Sequence, residues 1–521
     1  MTCSKKIIIV FSLFGLFTGL RAQNGPTKMS LEQCVVHAIE NNLGIAVQIL
    51  NPELSEIEVV SAREQFLPQI GFQYGTQSTN TPSFSWIEAA GQVTADYDDY
   101  AGQIRQLVPT GGNFSMTLYS YKNETNQKFQ TINPRFGSTL TFQFTQPLLR
   151  NFGLKTTRRE ILIAKNNQNI SESEFKATLL DTVYLVEESY WNLVYSIENL
   201  KVMQQSLALA RNLLAKNERE VEIGTLAPIE ILSAQAEVAT READILQAEM
   251  LVKNNEDTLK TLINWQEKEK ETQFRISPTD QPIFSEKEVN IQEALMLGLN
   301  NRPDLHQYRM DIENKDISFA YAKNQLLPDL SLNASYWSPG VSGSLIQYLD
   351  GDPLTEIITG VVPGNANASL QDSFAFKYKN WSLGLTLSIP INSIITRADY
   401  SRARLDLEQS RKTLKNQEQQ AFLEIRNAVR TVQTNYLRVR AYRAARELAE
   451  KKLEAEEKKL QVGLTTNYVV LQYQRDLATA RSNEVRALTD YSLSLAALEK
   501  SQGTSLDKNH ISLSSAGSAN Q

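Results

Sequence analysis

The stretch Glu222-Ile223-Gly224-Thr225-Leu226-Ala227-Pro228 decides the fold, because it returns as Gln461-Val462-Gly463-Leu464-Thr465-Thr466-Asn467. The helical runs that follow the two copies align without a gap, for example Leu232 with Leu471. A constant offset held over many positions indicates an internal duplication. Each glycine lies between two long, charged helical patterns, where a residue that accepts positive φ can end one helix and reverse the chain. Each copy is therefore predicted to be the tip of a helical hairpin, at 222–228 and at 461–467.

Outward from these tips, one order of elements occurs twice: helix, strand, loop, strand, long helix, tip and shorter helix. We predict the first structural repeat over residues 23–265 and the second over 291–502, joined by an equatorial connecting segment at 266–290. Each descending helix of roughly 67 residues would be on the order of 100 Å long at 1.5 Å per residue. The tail at 503–521 is rich in Ser and Asn, and we expect it to be disordered.

Four segments alternate apolar residues with Ser, Thr, Gly and Asn, which is the period of a two-faced strand. Leu140, Phe142 and Phe144, for example, share one face, and Thr139 and Thr141 share the other. We predict these strands at about 69–79, 136–146, 329–337 and 379–389. The segment around 100–122 shows a weaker alternation, and it could form an additional hairpin that lengthens the mouth of a barrel or packs inside it.

The first 22 residues are predicted to be a secretory signal peptide. Two lysines precede an apolar run at 7–20, and Ala22 is a suitable residue for cleavage. The alternative is a retained anchor helix, although the run is short for a membrane span. Every other apolar run is shorter still, so membrane insertion would have to use the strands. Cys3 would leave with the signal and Cys34 would remain alone, which excludes an intramolecular disulfide.

The apolar strand faces have no amphipathic partner in the sequence nearby. A bilayer would supply one, with apolar faces toward lipid and polar faces toward a water-filled lumen. A soluble sandwich is the alternative. An open sheet edge cannot lie in lipid, because its backbone groups would be unsatisfied, and four strands cannot close a barrel around a lumen. Three copies sharing a barrel would supply twelve strands. We therefore predict a mainly α-helical fold with a membrane β-barrel that several copies share, and with the long helices continuing below it as a tunnel.

The sequence offers little catalytic chemistry. His37, His306 and His510 lie in separate segments without metal-ligand spacing. A net charge of −6 with mixed signs gives no basic footprint for nucleic acid. A Gly-rich phosphate loop is absent from the sequence, so the chain would not power transport itself. We expect no enzyme activity and no catalytic, cofactor or metal site.

Three stretches together resemble the TolC-type outer-membrane efflux proteins, the outer membrane factors. They are the duplicated tips, the stretch Asn301-Arg302-Pro303-Asp304-Leu305, and the strand end at 385–390. The resemblance covers nearly the whole mature chain. It implies a homotrimer with a trimeric twelve-strand β-barrel in the outer membrane, continued by a periplasmic α-helical barrel. It also implies an inner-membrane exporter that supplies energy, and a periplasmic adaptor (membrane fusion) protein. The adaptor would contact the tip residues, which are Ile223, Gly224, Thr225, Val462, Gly463 and Leu464.

The chain departs from some members of that family at the second tip. Those members carry acidic residues at the sixth and ninth positions after the glycine, where this chain has Val469 and Gln472. Thr465 stands where such members can place an arginine partner, and it cannot form the corresponding ion pair. Glu230 occupies the sixth position after the first glycine. We predict a periplasmic constriction that is less acidic than in those relatives, with Glu230 as its main charged residue; the alternative is that Glu230 is a solvated helix residue.

These observations predict a passive exit duct of a tripartite efflux or type I secretion system, located in the outer membrane and extending into the periplasm. Partner proteins would open its periplasmic tip. The alternative is a non-conducting structural envelope protein whose hairpins span the periplasm. The polar strand faces favour the duct, because a purely structural sheet would not need them.

Overall fold

The structure is a computed structural model of the 521-residue chain. It describes residues 27–85, 88, 91–265, 275–282, 284–286 and 288–511, and the backbone of 8–11 and 512–514. The chain divides into two compact units. The first comprises Met1–Leu54, Asn169–Met310 and Lys412–Gln521, and the second comprises Ser55–Gln168 and Asp311–Arg411. Each unit takes segments from both sequence repeats, because each repeat alternates helical segments with strand segments.

Helices account for most of the described chain, and the two long hairpins lie where the sequence predicts them. The descending helices have 64 and 68 residues, and the returning helices have 34 and 36. Among the described residues, none of the helices is long and apolar enough to cross a membrane. In chain order the helices are α1 (Leu31–Asn41), α2 (Leu43–Gln48), α3 (Leu50–Glu64), α4 (Leu154–Thr157), α5 (Arg159–Glu222), α6 (Ile229–Leu262), α7 (Ile291–Asn301), α8 (Pro303–Gln325), α9 (Ala366–Phe374), α10 (Ile394–Gln461), α11 (Asn467–Gln502) and α12 (Ser505–Lys508).

Three apolar clusters hold the helices of the first unit together. The largest is built around Tyr190, Leu193 and Leu259, all fully buried, and it joins α5 to α6 and to the short N-terminal helix α1. A second cluster around Ile425 and Tyr491 joins α10 to α11 and α7. The third lies closer to the tips and packs Leu213 of α5 against Leu453 of α10 and against Val470, Leu471 and Leu477 of α11. Apolar packing therefore connects the two hairpins to each other near their tips.

The second unit contains one antiparallel sheet. The chain order and bounds of the described strands are β1 (Ile8–Phe11), β2 (Thr27–Met29), β3 (Gln69–Pro82), β4 (Gln92–Leu107), β5 (Asn113–Thr125), β6 (Ile132–Pro147), β7 (Ile276–Pro278), β8 (Asp329–Tyr348), β9 (Ile358–Val362), β10 (Asn380–Ser388) and β11 (Ile511–Ser514). Six of them lie side by side in the sheet of the second unit, in the order β10–β8–β6–β5–β4–β3, and β9 pairs with the far end of β8.

The sheet corrects the expectation of four strands in each copy. The weak alternation around 100–122 belongs to a complete hairpin, β4 and β5, which stands between β3 and β6 in the same sheet. It neither lengthens one end of the sheet nor packs against its face. The sequence understates this hairpin because Asp96 and Asp98 interrupt the apolar face of β4 and Lys122 and Glu124 interrupt that of β5.

Two further sheets consist of two short strands each. β2 pairs with β7 in parallel, which places part of the segment 266–290 beside the N-terminal helices. β1 pairs with β11 in antiparallel fashion. The prediction that the tail is disordered from residue 503 is wrong as far as 514, because Leu506 and Ile511 are buried in the apolar cluster around Tyr190. Residues 515–521, 266–274 and most of the predicted signal peptide lie outside the described residues, so cleavage of the signal peptide stays a prediction.

Candidate functional site

Both predicted tips end their helices with a left-handed glycine. Gly224 has a φ of 78° and Gly463 a φ of 75°. After the first glycine, the Thr225 amide donates to the Glu220 carbonyl at 2.9 Å, and after the second, the Leu464 amide donates to the Lys459 carbonyl at 2.9 Å. These bonds are those of a Schellman motif, which satisfies the last helical carbonyls and reverses the chain. The two tips therefore share one local structure, as the duplicated sequence predicts.

The tips expose apolar side chains at the ends of otherwise charged hairpins. Ile223 is 73% exposed, Val462 69% and Leu464 77%. Each is adjacent to a tip glycine, so each projects from a turn whose backbone bonds are already satisfied. These side chains are accessible to a partner protein at the ends of the hairpins. Of the six tip residues named from the sequence, Ile223 at the first tip and Val462 and Leu464 at the second are thus exposed apolar side chains.

The four residues predicted at the constriction lie in the first turns after the two glycines. Glu230 is half-buried at the start of α6, and its carbonyl accepts from the Asn217 amide nitrogen at 3.5 Å. Thr465 bonds to Glu456 of α10, whose carboxyl pKa is lowered first by Lys459 and then by this hydroxyl. Val469 is half-buried and Gln472 is exposed on α11. Within one copy, Glu230 and Thr465 therefore have different partners on different hairpins.

A partly buried ion cluster lies one to three turns beyond these residues, and the sequence analysis did not identify it. Arg241 and Glu237 stand one turn apart on α6, with the arginine Nε 3.0 Å from the glutamate Oε1. Their side chains are 5% and 10% exposed. Arg475 of α11 also donates to the Glu237 carboxylate, with its Nε 3.3 Å from Oε1. We call Glu237, Arg241 and Arg475 the hairpin clamp.

The hairpin clamp joins three helices of the first unit. The Arg241 guanidinium donates to the Ser206 carbonyl of α5 and, at 3.3 Å, to the Leu471 carbonyl of α11. Burial raises the pKa of the Glu237 carboxyl, but hydrogen bonds from Arg475 and Arg241 outweigh it, so the pKa is lower than usual. The carboxylate is therefore ionised at neutral pH. A buried arginine that is satisfied by carbonyls from both hairpins fixes the separation of those hairpins.

The aligned repeats contain a sequence signal for the hairpin clamp, but the signal can be interpreted only with the structure. With Leu232 aligned to Leu471, Arg241 falls opposite Ala480, and Arg475 falls opposite Ala236. Each repeat thus carries an arginine where the other has alanine. Two duplicated hairpins that pack against each other cannot use identical surfaces, so charged residues at unequal positions indicate where they meet.

The polar face of the sheet forms a second candidate feature. Asn333 of β8 accepts from the Thr145 hydroxyl of β6 at 3.0 Å and donates to the Thr386 hydroxyl of β10 at 3.0 Å. Ser335 and Ser382 form a further cross-strand bond of 2.7 Å. These side chains lie on the face opposite to Leu383, Leu385 and Leu387, as the alternation predicts. In the part of the chain that the structure describes, no group of three or more His, Cys, Asp or Glu residues is arranged to hold a metal ion.

Comparisons with known proteins agree with this architecture. A family model described as "Outer membrane efflux protein" matches residues 113–264 and 294–504. The outer membrane protein TolC of Vibrio cholerae serotype O1 is 23% identical over 353 residues, which cover 66% of this chain and 72% of TolC. The structure of the outer-membrane channel OprN superposes with a TM-score of 0.64 at 14% identity, covering 91% of this chain and 90% of OprN. The open state of the Neisseria gonorrhoeae MtrE outer membrane channel gives 0.58 at 16% identity, covering 96% and 99%.

Proposed function

Because the chain belongs to the outer membrane efflux protein family, we propose that it is the exit duct of a tripartite efflux or type I secretion system, opened by partners at its hairpin tips. Members of this family are channels rather than enzymes, and they lie in the outer membrane and extend into the periplasm. They form trimers that work with adaptors and inner-membrane pumps. For this chain we propose the conducting duct, its opening at the tips and its specific partners.

The two-faced sheet supports the conducting part of the proposal. Side chains such as Asn333 and Ser335 would line a water-filled passage, and Leu383 and Leu385 would face lipid. The leucines are 65% and 67% exposed in one copy, which is a favourable arrangement only if an apolar phase covers them. The passage needs no covalent chemistry, because the energy for transport comes from the inner-membrane pump.

The apolar tips support the docking of an adaptor. Ile223, Val462 and Leu464 present the same kind of surface on two hairpins, and three copies would present six such surfaces in a ring. A partner that covers them gains the free energy of burying apolar area, roughly 25 cal/mol per Å². We propose that the adaptor uses this free energy to change the arrangement of the hairpins.

The hairpin clamp is the observation that carries the gating part of the proposal. It ties α5 and α6 to α11 within the first unit, so the first hairpin cannot move away from the second while Arg241 holds the carbonyls of Ser206 and Leu471. The MtrE channel, which shares this fold, has been solved in an open state. We propose that the clamp favours the closed tip here and that adaptor binding shifts the equilibrium toward separated hairpins.

We place the constriction at Glu230, Thr465, Val469 and Gln472. In a trimer each of these residues would occur three times around one axis. Glu230 would be the one acidic side chain among them, which makes the ring less acidic than one with carboxylates at the positions of Val469 and Gln472. The polar Thr465 and Gln472 would allow water to remain in the passage when the hairpins separate.

Single-channel conductance in planar bilayers tests the proposal. The purified wild-type protein is compared with Glu237→Gln, which removes the clamp carboxylate, and with Glu242→Gln. The second variant is a matched control, because Glu242 pairs with Arg211 on exposed surfaces of the same hairpin. We expect discrete conductance steps in all three, with a larger or more frequently open state in Glu237→Gln alone. Bilayers that stay silent with correctly folded protein of every variant would favour the structural envelope protein instead.

A further inference from the structure

The six-stranded path of the sheet in the second unit contains two strands more than the duplication accounts for. The repeats supply β3 and β6 from the first half of the chain and β8 and β10 from the second. The hairpin of β4 and β5 is inserted between β3 and β6, and its pairing is continuous on both sides. The ladder between β3 and β4 runs from the pair Gln69–Arg105 to the pair Pro82–Gln92. The ladder between β5 and β6 runs from the pair Asn113–Thr145 to the pair Asn123–Arg135.

The inserted hairpin has the same two faces as the four duplicated strands, in the same register. Residues that are directly paired across neighbouring strands point to the same side of a sheet, and the next residue along each strand points to the other side. One row on the apolar side is Ile70, Ile104, Met116, Phe142, Tyr336 and Trp381. The adjacent row on the polar side is Gln69, Arg105, Ser115, Gln143, Ser335 and Ser382.

The connections at the two ends of the inserted hairpin also match those of a transmembrane β-barrel. Its short turn at 108–112 lies where the sheet joins the helices: the Gly153 amide donates to the Thr110 carbonyl at 3.1 Å, and the Gln146 side chain donates to the same carbonyl at 3.2 Å. The strand ends that the longer connections join, Pro82 to Gln92 and Thr125 to Ile132, are at the opposite end of the hairpin. Short turns on the periplasmic side and longer loops outside are typical of transmembrane barrels.

On β3 and β4, the carboxylates of the apolar side lie beyond an aromatic boundary. The rings of Tyr74 and Tyr100 are 5.1 Å apart, and the next two pairs along these strands join Thr76 to Asp98 and Ser78 to Asp96 through hydroxyl–carboxylate hydrogen bonds. Aromatic girdles followed by polar residues mark the edge of the lipid-facing band in such barrels. The inserted hairpin therefore carries this boundary together with its neighbour β3.

We propose that three copies of this chain close a single eighteen-stranded barrel, in which β10 of each copy pairs with β3 of the next. Three copies of the six-stranded path give eighteen strands, not the twelve expected from four strands in each copy. Among the described strands, β3 pairs with β4 alone at one end of the path, and β10 pairs with β8 alone at the other. Each copy therefore offers two free edges. Because the path holds an even number of alternating strands, β10 runs antiparallel to β3 of the neighbouring copy.

Strands from neighbouring copies of this chain fit the two free edges. Backbone groups on a sheet edge cannot stay unpaired in lipid, so both edges must be covered by strands. A twelve-stranded barrel would require β3 to pair directly with β6 and would remove β4 and β5 from the wall. That rearrangement would break two complete ladders and would turn Ile104 and Met116 away from the apolar side. Since barrel diameter grows roughly linearly with strand number, eighteen strands give a passage about 1.5 times as wide as twelve.

Engineered cysteine pairs in the full-length protein, embedded in outer membranes and treated with a mild oxidant, test this proposal. A Cys34→Ala background removes the buried native thiol. Gly71, Gln103, Thr117 and Thr141 form one row on the polar side of β3, β4, β5 and β6. Gly71 accepts a side chain without a clash, since its Cβ position faces open space. The pairs are Gly71→Cys with Gln103→Cys, Thr117→Cys with Thr141→Cys, and Gly71→Cys with Thr141→Cys.

We expect disulfides in the first two pairs, at least 5-fold more than in the third. Three strand spacings of about 4.8 Å separate Gly71 from Thr141, roughly 14 Å, which exceeds the reach of a disulfide. A disulfide between Gly71→Cys and Thr141→Cys, without the other two, would overturn the eighteen-strand barrel in favour of twelve strands. A second measurement combines Gly384→Cys on β10 with cysteine at Gly71, Gln73 or Gln77 on β3. We expect covalent dimers and trimers from at least one combination, whereas bridges only within single chains would overturn the shared barrel.

This inference rests on the proposed trimeric channel, but the two can fail separately. Conductance of the Cys34→Ala protein is recorded in the same preparation before oxidation. A conducting trimer with a Gly71–Thr141 bridge would leave the exit duct in place and reject the strand count. A silent protein with the predicted bridges would retain the eighteen strands and reject the duct.

Discussion

Glu237 of α6 and Arg475 of α11 are 238 positions apart in the sequence, yet the Arg475 Nε lies 3.3 Å from the Glu237 Oε1. The same carboxylate is bound by the buried Arg241, whose guanidinium also reaches α5. This ion pair connects the two halves of an internal duplication at a place where both hairpins approach their tips. It gives the proposed gate a specific interaction that can be weakened without changing the tips themselves.

Replacement of Glu237 by glutamine should destabilise the first unit. Glu237→Gln leaves Arg241 buried without a counter-charge, and breaking a buried pair in this way costs roughly 3–5 kcal/mol. We expect the lower end of that range, because the Arg475 side chain is 62% exposed and water screens its share. Glu242→Gln removes an exposed pair and should cost less than about 1 kcal/mol. Thermal unfolding of the two variants measures the difference, and equal midpoints would contradict the clamp.

The contribution of Glu237 should depend on pH in a defined direction. Its pKa is lowered by Arg475 and Arg241 from an ordinary value of 4.5, so the folded protein binds fewer protons than the unfolded chain. The stabilisation is therefore complete above the ordinary pKa and is lost as the pH falls through the lowered folded-state pKa. The difference in melting temperature between wild type and Glu237→Gln should be largest at about pH 7 and should shrink as the solution is acidified below the ordinary pKa. A difference that grows on acidification would contradict this assignment.

Charges placed at the tips should prevent adaptor binding. Ile223→Asp combined with Leu464→Asp converts both exposed apolar surfaces into charged ones without touching the glycine turns. We expect retention of the host's adaptor in a pull-down to fall at least 10-fold, with no change in the trimer. Leu246→Asp is the matched control, because Leu246 is 67% exposed on α6 away from the tip. Adaptor binding that is lost equally in the control, or kept in the tip variant, would exclude the tips as the docking surface.

Removal of the Glu230 carboxylate should alter ion selectivity. Glu230→Ala would take away the one acidic side chain that we place at the constriction, so cation preference in bilayer recordings should decrease. Gln472→Ala tests a neutral position of the same predicted ring and should leave the selectivity unchanged. If conductance, selectivity and closure are all unchanged in Glu230→Ala, Glu230 is an ordinary solvated helix residue.

The sequence was sufficient for the helical hairpins because their signals are local and repeated. Gly224 and Gly463 each interrupt a run without glycine or proline, and a Schellman turn needs only a few neighbouring residues to form. The duplicated strands were equally clear, since each has an apolar face such as Leu140, Phe142 and Phe144. Local periodicity therefore predicted both the lengths of the hairpins and the positions of four strands.

Two features could not be predicted from local pattern. β4 and β5 are apolar near the turn at 108–112 and carry charged residues toward their other ends. The period-2 alternation is therefore broken at Asp96 and Asp98, although the backbone pairing continues. The clamp depends on residues from three helices, and its charges resemble ordinary surface charges until Arg241 is seen to be buried. The tail after Gly503 was misjudged for a related reason, because two apolar residues, Leu506 and Ile511, are enough to anchor it in a distant core.

The mass of the detergent-solubilised protein from an outer-membrane fraction, corrected for bound detergent, tests the central claim most directly. The exit duct, the ring of tips and the eighteen-stranded barrel all require several copies around one passage. The account predicts a mass of three chains. A monomer would contradict it, because the free edges of β3 and β10 would then have no neighbouring copy to pair with in the membrane.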